Sequence, residues 1–512
     1  MLVKKNDADL YEQYRTKMQK IADLKAAISL LNWDQETCLP PSGAPLRGRQ
    51  LTTLTALLHG LLTESSLENL LLNLEQATTP AEKEGRNVRI TLEEVRRNQK
   101  YPEKFVRQLS DTVSACFHGW VAARRKNDFA IWEHLLGEMV CLKQQEARLL
   151  GYEKHPYDAL LQWHEKAMTT GQLDGLFSQV RHQLSPLLSA ILDQSGPAPD
   201  WLRCSFPKDR QGKFGRELLA TLGFDLDAGR LDVSEHPFTV SMGNQDVRLT
   251  TRIEEGDLPG LIFSCLHEGG HGLYEQGLDE ADYGLPSGEA ISLSIHESQS
   301  RLWENMVGRG KSFWLHQFPK LASRFPEILG KVSLQEFYQG INRVGPTLIR
   351  TESDELTYHF HVLIRYQIEK GLISGEFRTG DLREIWNQSY RDLLGVKVPD
   401  DLRGVLQDVH WSHGSFGYFP TYSLGSFLAA QFFETARREI PGLEASLAAG
   451  DCKTLLDWLR RKIHGPGGQY PYPELCLQVT GKHLDPDCFM EYARRKYGEL
   501  YGGISGLQEK AG

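Results

Sequence analysis

GDLPGLIFSCLHEGGHGLYEQG, residues 256–277, carries His267, Glu268 and His271 inside one apolar-periodic run. Two histidines four apart lie one above the other on a single helix face, so their imidazoles can converge on one metal ion with Glu268 beside them. The spacing is that of the HExxH helix of zinc peptidases. Gly269 and Gly270 follow Glu268 directly. Two adjacent glycines inside a helix cost roughly 1 kcal/mol each relative to alanine. A helix with only a packing role would not favour them; here they let a neighbouring backbone or a substrate come close. Cys265 points away from the histidine face and reads as apolar filler rather than a ligand.

A catalytic zinc takes three protein ligands and keeps one position open, so one ligand remains to be found. The next helical pattern, SGEAISLSIHESQSRLWENMVG at 287–308, offers Glu297, 26 positions after His271. With Ser287 as its expected N-cap, this helix would run antiparallel to the first, joined by the loop at 278–286. Ser300, Arg301 and Glu304 share the Glu297 face. His296 is the competing ligand, its ring turned about 100° around the helix from Glu297. Just upstream, FTVSMGNQDVRLTTRI at 238–253 alternates apolar and polar residues around Gly243 and Asn244, which predicts a short β-hairpin. A strand beside a metal helix can hold an extended peptide by backbone hydrogen bonds.

The chemistry implied is hydrolysis, with Glu268 as general base toward a metal-activated water. The developing oxyanion needs a further donor. QDVHWSHGSFGYFPTYSLG at 407–425 gathers His410, His413, Tyr418 and Tyr422 in one turn-rich stretch, and these are the candidate catalytic donors.

Elsewhere the dominant period is helical, with leucine-type residues at i, i+3 and i+4 and charges opposite. Residues 10–194 read as a helical lobe, and SGPAPD at 195–200 cannot continue a helix and marks a lobe boundary. The fold class is mainly α, with one small β-sheet or hairpin beside the HExxH helix. The chain holds 58 basic and 67 acidic residues, a net charge of −9, and no basic block, which argues against nucleic-acid or anionic-membrane partners. No apolar run of about 18 residues offers a membrane span. The first residues lack the apolar core of a secretory signal. The eight cysteines are scattered singly, so a disulfide framework is not expected and a cytoplasmic location is.

Further motifs fall in order along the chain: LLNWDQETCLPPSG at 30–43, HPYDALLQWHEKAMT at 155–169, HPF at 236–238, DVRLT at 246–250, HEGGH at 267–271, HESQ at 296–299, IRTESD at 349–354 and GVLQDVHW at 404–411. In these the chain resembles the M32 metallocarboxypeptidases, the thermostable Taq-type family. Cys38 stands where that family commonly has methionine, and Gln162 where it has an acidic residue. The resemblance implies one peptidase domain over 1–512, with 1–194 a helical lobe and 201–512 carrying the metal site. It further implies a large, two-sided helical body with a deep central groove, often a homodimer. By the same resemblance His267, His271 and Glu297 are zinc ligands, Glu268 is the base, and cobalt can replace zinc. The expected activity on peptide substrates is removal of single C-terminal residues with broad specificity, proline being disfavoured.

Such an activity must recognise a free carboxylate, which suits a bidentate guanidinium. Arg350 is the first candidate and Arg248 the second, each with an alternative as a buried ion pair, to Asp354 or Asp246. His236 of HPF joins them as a candidate substrate contact. A zinc oligoendopeptidase cutting internal bonds is the alternative, since fold does not separate the two reactions.

Overall fold

The computed structural model describes residues 2–502, with side chains from residue 7 onward. Among these the chain is helical apart from one three-stranded sheet. It divides into two compact units: Met1–Gln99, Ala198–Ile341 and Phe432–His483 form the first, and Lys100–Pro197, Asn342–Gln431 and Leu484–Gly512 the second. The SGPAPD break coincides with a crossing between units at Pro197, while the helices of 1–194 contribute to both.

In the first unit the N-terminal helices follow their apolar spacing. Tyr14, Met18 and Ile21 of Leu2–Thr37 pack with Leu67, Leu70, Leu71 and Leu74 of Ser65–Ala77 and with Val88, Leu92 and Val95 of Lys83–Gln99. These are i, i+3/i+4, i+7 stripes. Leu285 joins the same cluster. Beside it, Asn87 Nδ2 donates to Ser287 Oγ at 3.0 Å and Asn87 Oδ1 accepts from the Ser287 N–H at 2.9 Å. The N-terminal helices thereby anchor the loop that leads to Glu297.

That anchoring corrects the expected cap. Ser287 is buried in a short 3₁₀ turn, Pro286–Gly288, and the helix begins at Leu293 with Ser292 as N-cap, its hydroxyl accepting from the Ile295 N–H. Both serines precede apolar residues, and the tertiary partner Asn87 decides between them.

The expected hairpin is present, as β2 (Thr239–Ser241) antiparallel to β3 (Val247–Thr251). A third strand, β1 (Gly229–Val233), pairs with β3 in parallel, giving the order β1-β3-β2. The GRLDV segment is too short and too charged to have signalled a strand by period alone. Thr250 Oγ1 accepts from Ser234 Oγ at 2.7 Å and from the Phe238 N–H at 2.9 Å, so the threonine of DVRLT fastens the HPF segment.

In the second unit the helix Tyr358–Ser374 is buried on nearly every side, including Arg365, Glu369, His359 and His361. Buried polar groups need partners, and these find them largely in the 404–423 stretch. Arg365 meets Asp408, Glu369 accepts from Trp411 Nε1 and the Gly417 N–H, and His359 meets Ser423. The turn-rich QDVHW segment is held by these side-chain bonds rather than by a ladder of its own.

Candidate metal and active site

The helix Leu258–Glu275 opens with Asp257, whose carboxylate accepts from the Gly260 N–H, and Pro259 in the first turn. It packs against Lys208–Leu222, where an added Cβ at Gly215 would lie 2.8 Å from Cys265 Sγ and one at Gly269 would lie 2.7 Å from Leu219. Cys265 is fully buried there, as its place off the histidine face implied. On the other side a Cβ at Gly270 would lie 2.6 Å from both Gln299 O and Ser300 Cα. The paired glycines therefore serve the close approach of two helices, and Gly270 in particular lets the HESQ backbone against the HEGGH backbone.

This sets up a contest for Gly270→Ala. Alanine gains about 1 kcal/mol of helix propensity, whereas overpacking costs roughly 1–3 kcal/mol. The atoms met are backbone and cannot yield without shifting Glu297, so overpacking wins. G270A should unfold at lower urea concentration than wild type; equal stability would show that the helices do not meet here.

The approach brings three side-chain atoms together. Glu297 Oε2 lies 3.8 Å from His267 Nε2 and 3.6 Å from His271 Nε2. Among the described residues these three form the group of metal-ligating types whose ligand atoms all fall within 4.8 Å of one another. Every other polar atom of the trio is engaged. Arg301 Nε donates to Glu297 Oε1 at 2.7 Å, leaving Oε2 for the cluster. His267 Nδ1 meets Glu304 Oε2 at 2.8 Å, and His271 Nδ1 meets His296 Nδ1 at 2.6 Å. Two imidazole nitrogens and one carboxylate oxygen, with their outer atoms fixed, fit a divalent metal of the zinc type with a coordination position to spare. His296, the competing ligand, is turned to His271 and Glu275 instead.

Glu304 reaches His267 because the α-helix Leu293–Arg301 gives way to a π-helical turn, Leu302–Val307. Such turns re-aim side chains at functional sites. Burial pushes the Glu304 carboxyl up, but Arg301 and His267 bring it down to about 2, so it is an ionised acceptor. Glu268 is buried too, and Thr239 Oγ1 of β2 donates to its Oε2 at 2.7 Å. Burial raises its carboxyl above the usual range, against the pull of His267 and Thr239. Thr239, Glu304, Arg301 and Glu275 are the supporting residues that motif reading did not assign.

The remaining candidates lie in the second unit, except Arg248 and His236. Arg350 is buried against Asp408, its Nε donating to Oδ1 at 3.0 Å and its Nη1 to Tyr358 OH at 3.1 Å. Its ion-pair partner is thus Asp408; Asp354 instead caps the following turn at Leu356 and Thr357. Asp408 also takes Arg365 Nε at 2.7 Å. Tyr422 lies under the Arg350 guanidinium, 4.8 Å from ring to carbon, and its hydroxyl meets His410 Nε2 at 3.0 Å. Burial and Arg350 push His410 down to about 3, so the ring is neutral. Tyr418 packs on both His410 and Tyr422, at 5.3 and 5.2 Å between centroids. His413 packs on Phe117 with centroids 5.1 Å apart.

Arg248 forms a bidentate pair with Asp246, at 2.8 and 2.9 Å, and stacks on Trp33. His236 is exposed, its carbonyl accepting from Ser234 Oγ at 2.6 Å.

A family model described as Carboxypeptidase Taq (M32) metallopeptidase matches residues 13–497. The chain is 39% identical over 507 residues to Thermostable carboxypeptidase 1 of Thermus thermophilus, covering 96% of this chain and 99% of that one. It is 35% identical over 487 residues to Carboxypeptidase 1 of Bacillus subtilis, covering 94% and 97%. A solved M32 carboxypeptidase from Deinococcus radiodurans matches the fold with a TM-score of 0.94 at 37% identity, covering 96% of this chain and 100% of that one.

Proposed function

Since the chain belongs to the M32 metallocarboxypeptidases, and so is a peptide hydrolase, we propose that it is a zinc enzyme that removes single residues from peptide C-termini with broad specificity, disfavouring proline. The observation that carries the metal reading is the convergence of His267 Nε2, His271 Nε2 and Glu297 Oε2 with their outer atoms already engaged. Those three residues would hold the ion. When bound, it supplies Lewis acidity that acidifies a water and polarises the scissile carbonyl. Glu268, oriented by Thr239, takes the proton of the attacking water and returns it to the leaving amine. His410, neutral, and the hydroxyls of Tyr418 and Tyr422 are the proposed donors to the oxyanion.

Arg350 is the proposed partner of the substrate's terminal carboxylate, and charge supports it over Arg248. Asp246 neutralises Arg248 by itself. Asp408 is shared by Arg350 and Arg365, which leaves one buried positive charge in excess. An uncompensated buried charge is costly, and an arriving carboxylate removes that cost. His236 remains a candidate contact on the substrate side.

No helix of the described residues is long and apolar enough to cross a membrane. One peptidase domain over residues 1–512 and a homodimer, both implied by the family resemblance, complete the proposal together with a cytoplasmic location, which the singly scattered cysteines support.

One time course tests the reaction class. An unmodified peptide incubated with the zinc-loaded chain should yield products shortened one residue at a time. Chelation should stop the reaction, and zinc or cobalt should restore it. Internal fragments appearing equally from a C-terminally amidated peptide would replace this reading by the oligoendopeptidase one.

A further inference from the structure

The outer nitrogens of the two converging imidazoles are held in unlike ways. His267 Nδ1 meets a carboxylate, Glu304, the usual support for a ligating histidine. His271 Nδ1 meets another imidazole, His296 Nδ1, at 2.6 Å, and the far nitrogen of that ring, Nε2, lies 2.8 Å from Glu275 Oε1. Glu275 sits four residues beyond His271, so His267, His271 and Glu275 make one stripe along the helix. Tyr274 packs on the His296 ring with centroids 5.4 Å apart.

With both imidazoles neutral and Glu275 ionised, the protons along these hydrogen bonds have one consistent arrangement. A carboxylate only accepts, and a neutral imidazole carries a single N–H. His296 gives its proton from Nε2 to Glu275 and therefore presents a bare Nδ1 to His271. Two bare nitrogens would not meet at hydrogen-bond distance, so His271 carries its proton on Nδ1. Its Nε2 keeps a lone pair, and that atom is the one 3.6 Å from Glu297 Oε2. Remove Glu275, and His296 is free to hold its proton on Nδ1 and donate it inward. His271 is then protonated on Nε2, and the ligand atom is blocked.

We propose that Glu275 and His296 are positioning residues that fix the tautomer of His271 and so preset its Nε2 for the metal. The proposal rests on the reading of His271 as a ligand. His296 meets the outer nitrogen of His271 and Glu275 meets His296, so both act through His271.

The test is zinc affinity of the full chain by competition with a chromophoric chelator, which needs no turnover. E275A and H296L should bind zinc roughly 10- to 100-fold more weakly than wild type. H296Q, whose side-chain oxygen can accept from His271 Nδ1–H, should stay within about threefold of wild type, because one acceptor replaces another. E275A with wild-type affinity would overturn the proposal, as would H296Q as weak as H296L, since lost packing would then explain both. Should H296L not fold, E275A against wild type decides alone. A wild-type chain that binds no zinc would overturn the metal reading itself, an outcome distinct from an intact site indifferent to Glu275.

Discussion

Glu268→Gln is expected to lower kcat by roughly 10²- to 10⁴-fold, the contribution typical of a general base, with KM and zinc content unchanged. Glutamine keeps the shape of the side chain and an oxygen that accepts from Thr239 Oγ1, so the bond at 2.7 Å survives the change. What it lacks is the capacity to take a proton. Glu268 is not among the three converging ligand atoms, so metal should stay bound. The carboxyl is suited to its task because burial raises its pKa toward the working range of a base. Steady-state kinetics on a free-acid peptide, with metal content measured alongside, checks this. Wild-type turnover in E268Q would remove Glu268 from the mechanism; loss of zinc would place it in the ligand set instead.

The parts of this site that could be read from sequence are those that local geometry dictates. Spacing of four puts His267 and His271 on one face whatever the tertiary context. Glu297 followed because a second helix returning from the loop places it opposite, and the structure brings its Oε2 to both rings. Of the two adjacent glycines, Gly270 admits a neighbouring backbone as its spacing implied, whereas Gly269 faces the Leu219 side chain.

What sequence did not show depends on partners distant in the chain. Ser292 rather than Ser287 caps the HESQ helix because Asn87, 200 residues away, captures Ser287. The π-helical turn that swings Glu304 under His267 has no period that separates it from an α-helix. β1 is a strand only because β3 pairs with it. The interleaving of the two units is likewise invisible to composition, since each unit is assembled from three separate stretches. Asp354 and Asp246 both looked available to an arginine by proximity in sequence. Asp246 does pair with Arg248, but Arg350 reaches Asp408, 58 residues on.

That pairing shapes the expectation for Arg350→Ala. Removing one partner of a buried, hydrogen-bonded charge pair costs about 2–5 kcal/mol, which corresponds to roughly 30- to several-thousand-fold in kcat/KM for a free-acid peptide. The loss should fall mainly on KM, because the guanidinium acts on the bound carboxylate and not on the reacting carbonyl. Folding should tolerate the change. Arg365 still holds Asp408 through Nε and Nη2 at 2.7 and 2.6 Å, so alanine leaves a neutral pair instead of an orphaned carboxylate. Arg350→Lys keeps the charge but not the planar fork, and should fall between alanine and wild type. The decisive quantity is the ratio of kcat/KM on a free-acid peptide to that on its C-terminally amidated twin. In wild type the ratio should be large, and in R350A it should collapse toward one, because only the free-acid substrate loses a partner. Equal loss on both substrates would mean that Arg350 supports the fold around Tyr358 and Tyr422 instead, and the terminal carboxylate would need another cation.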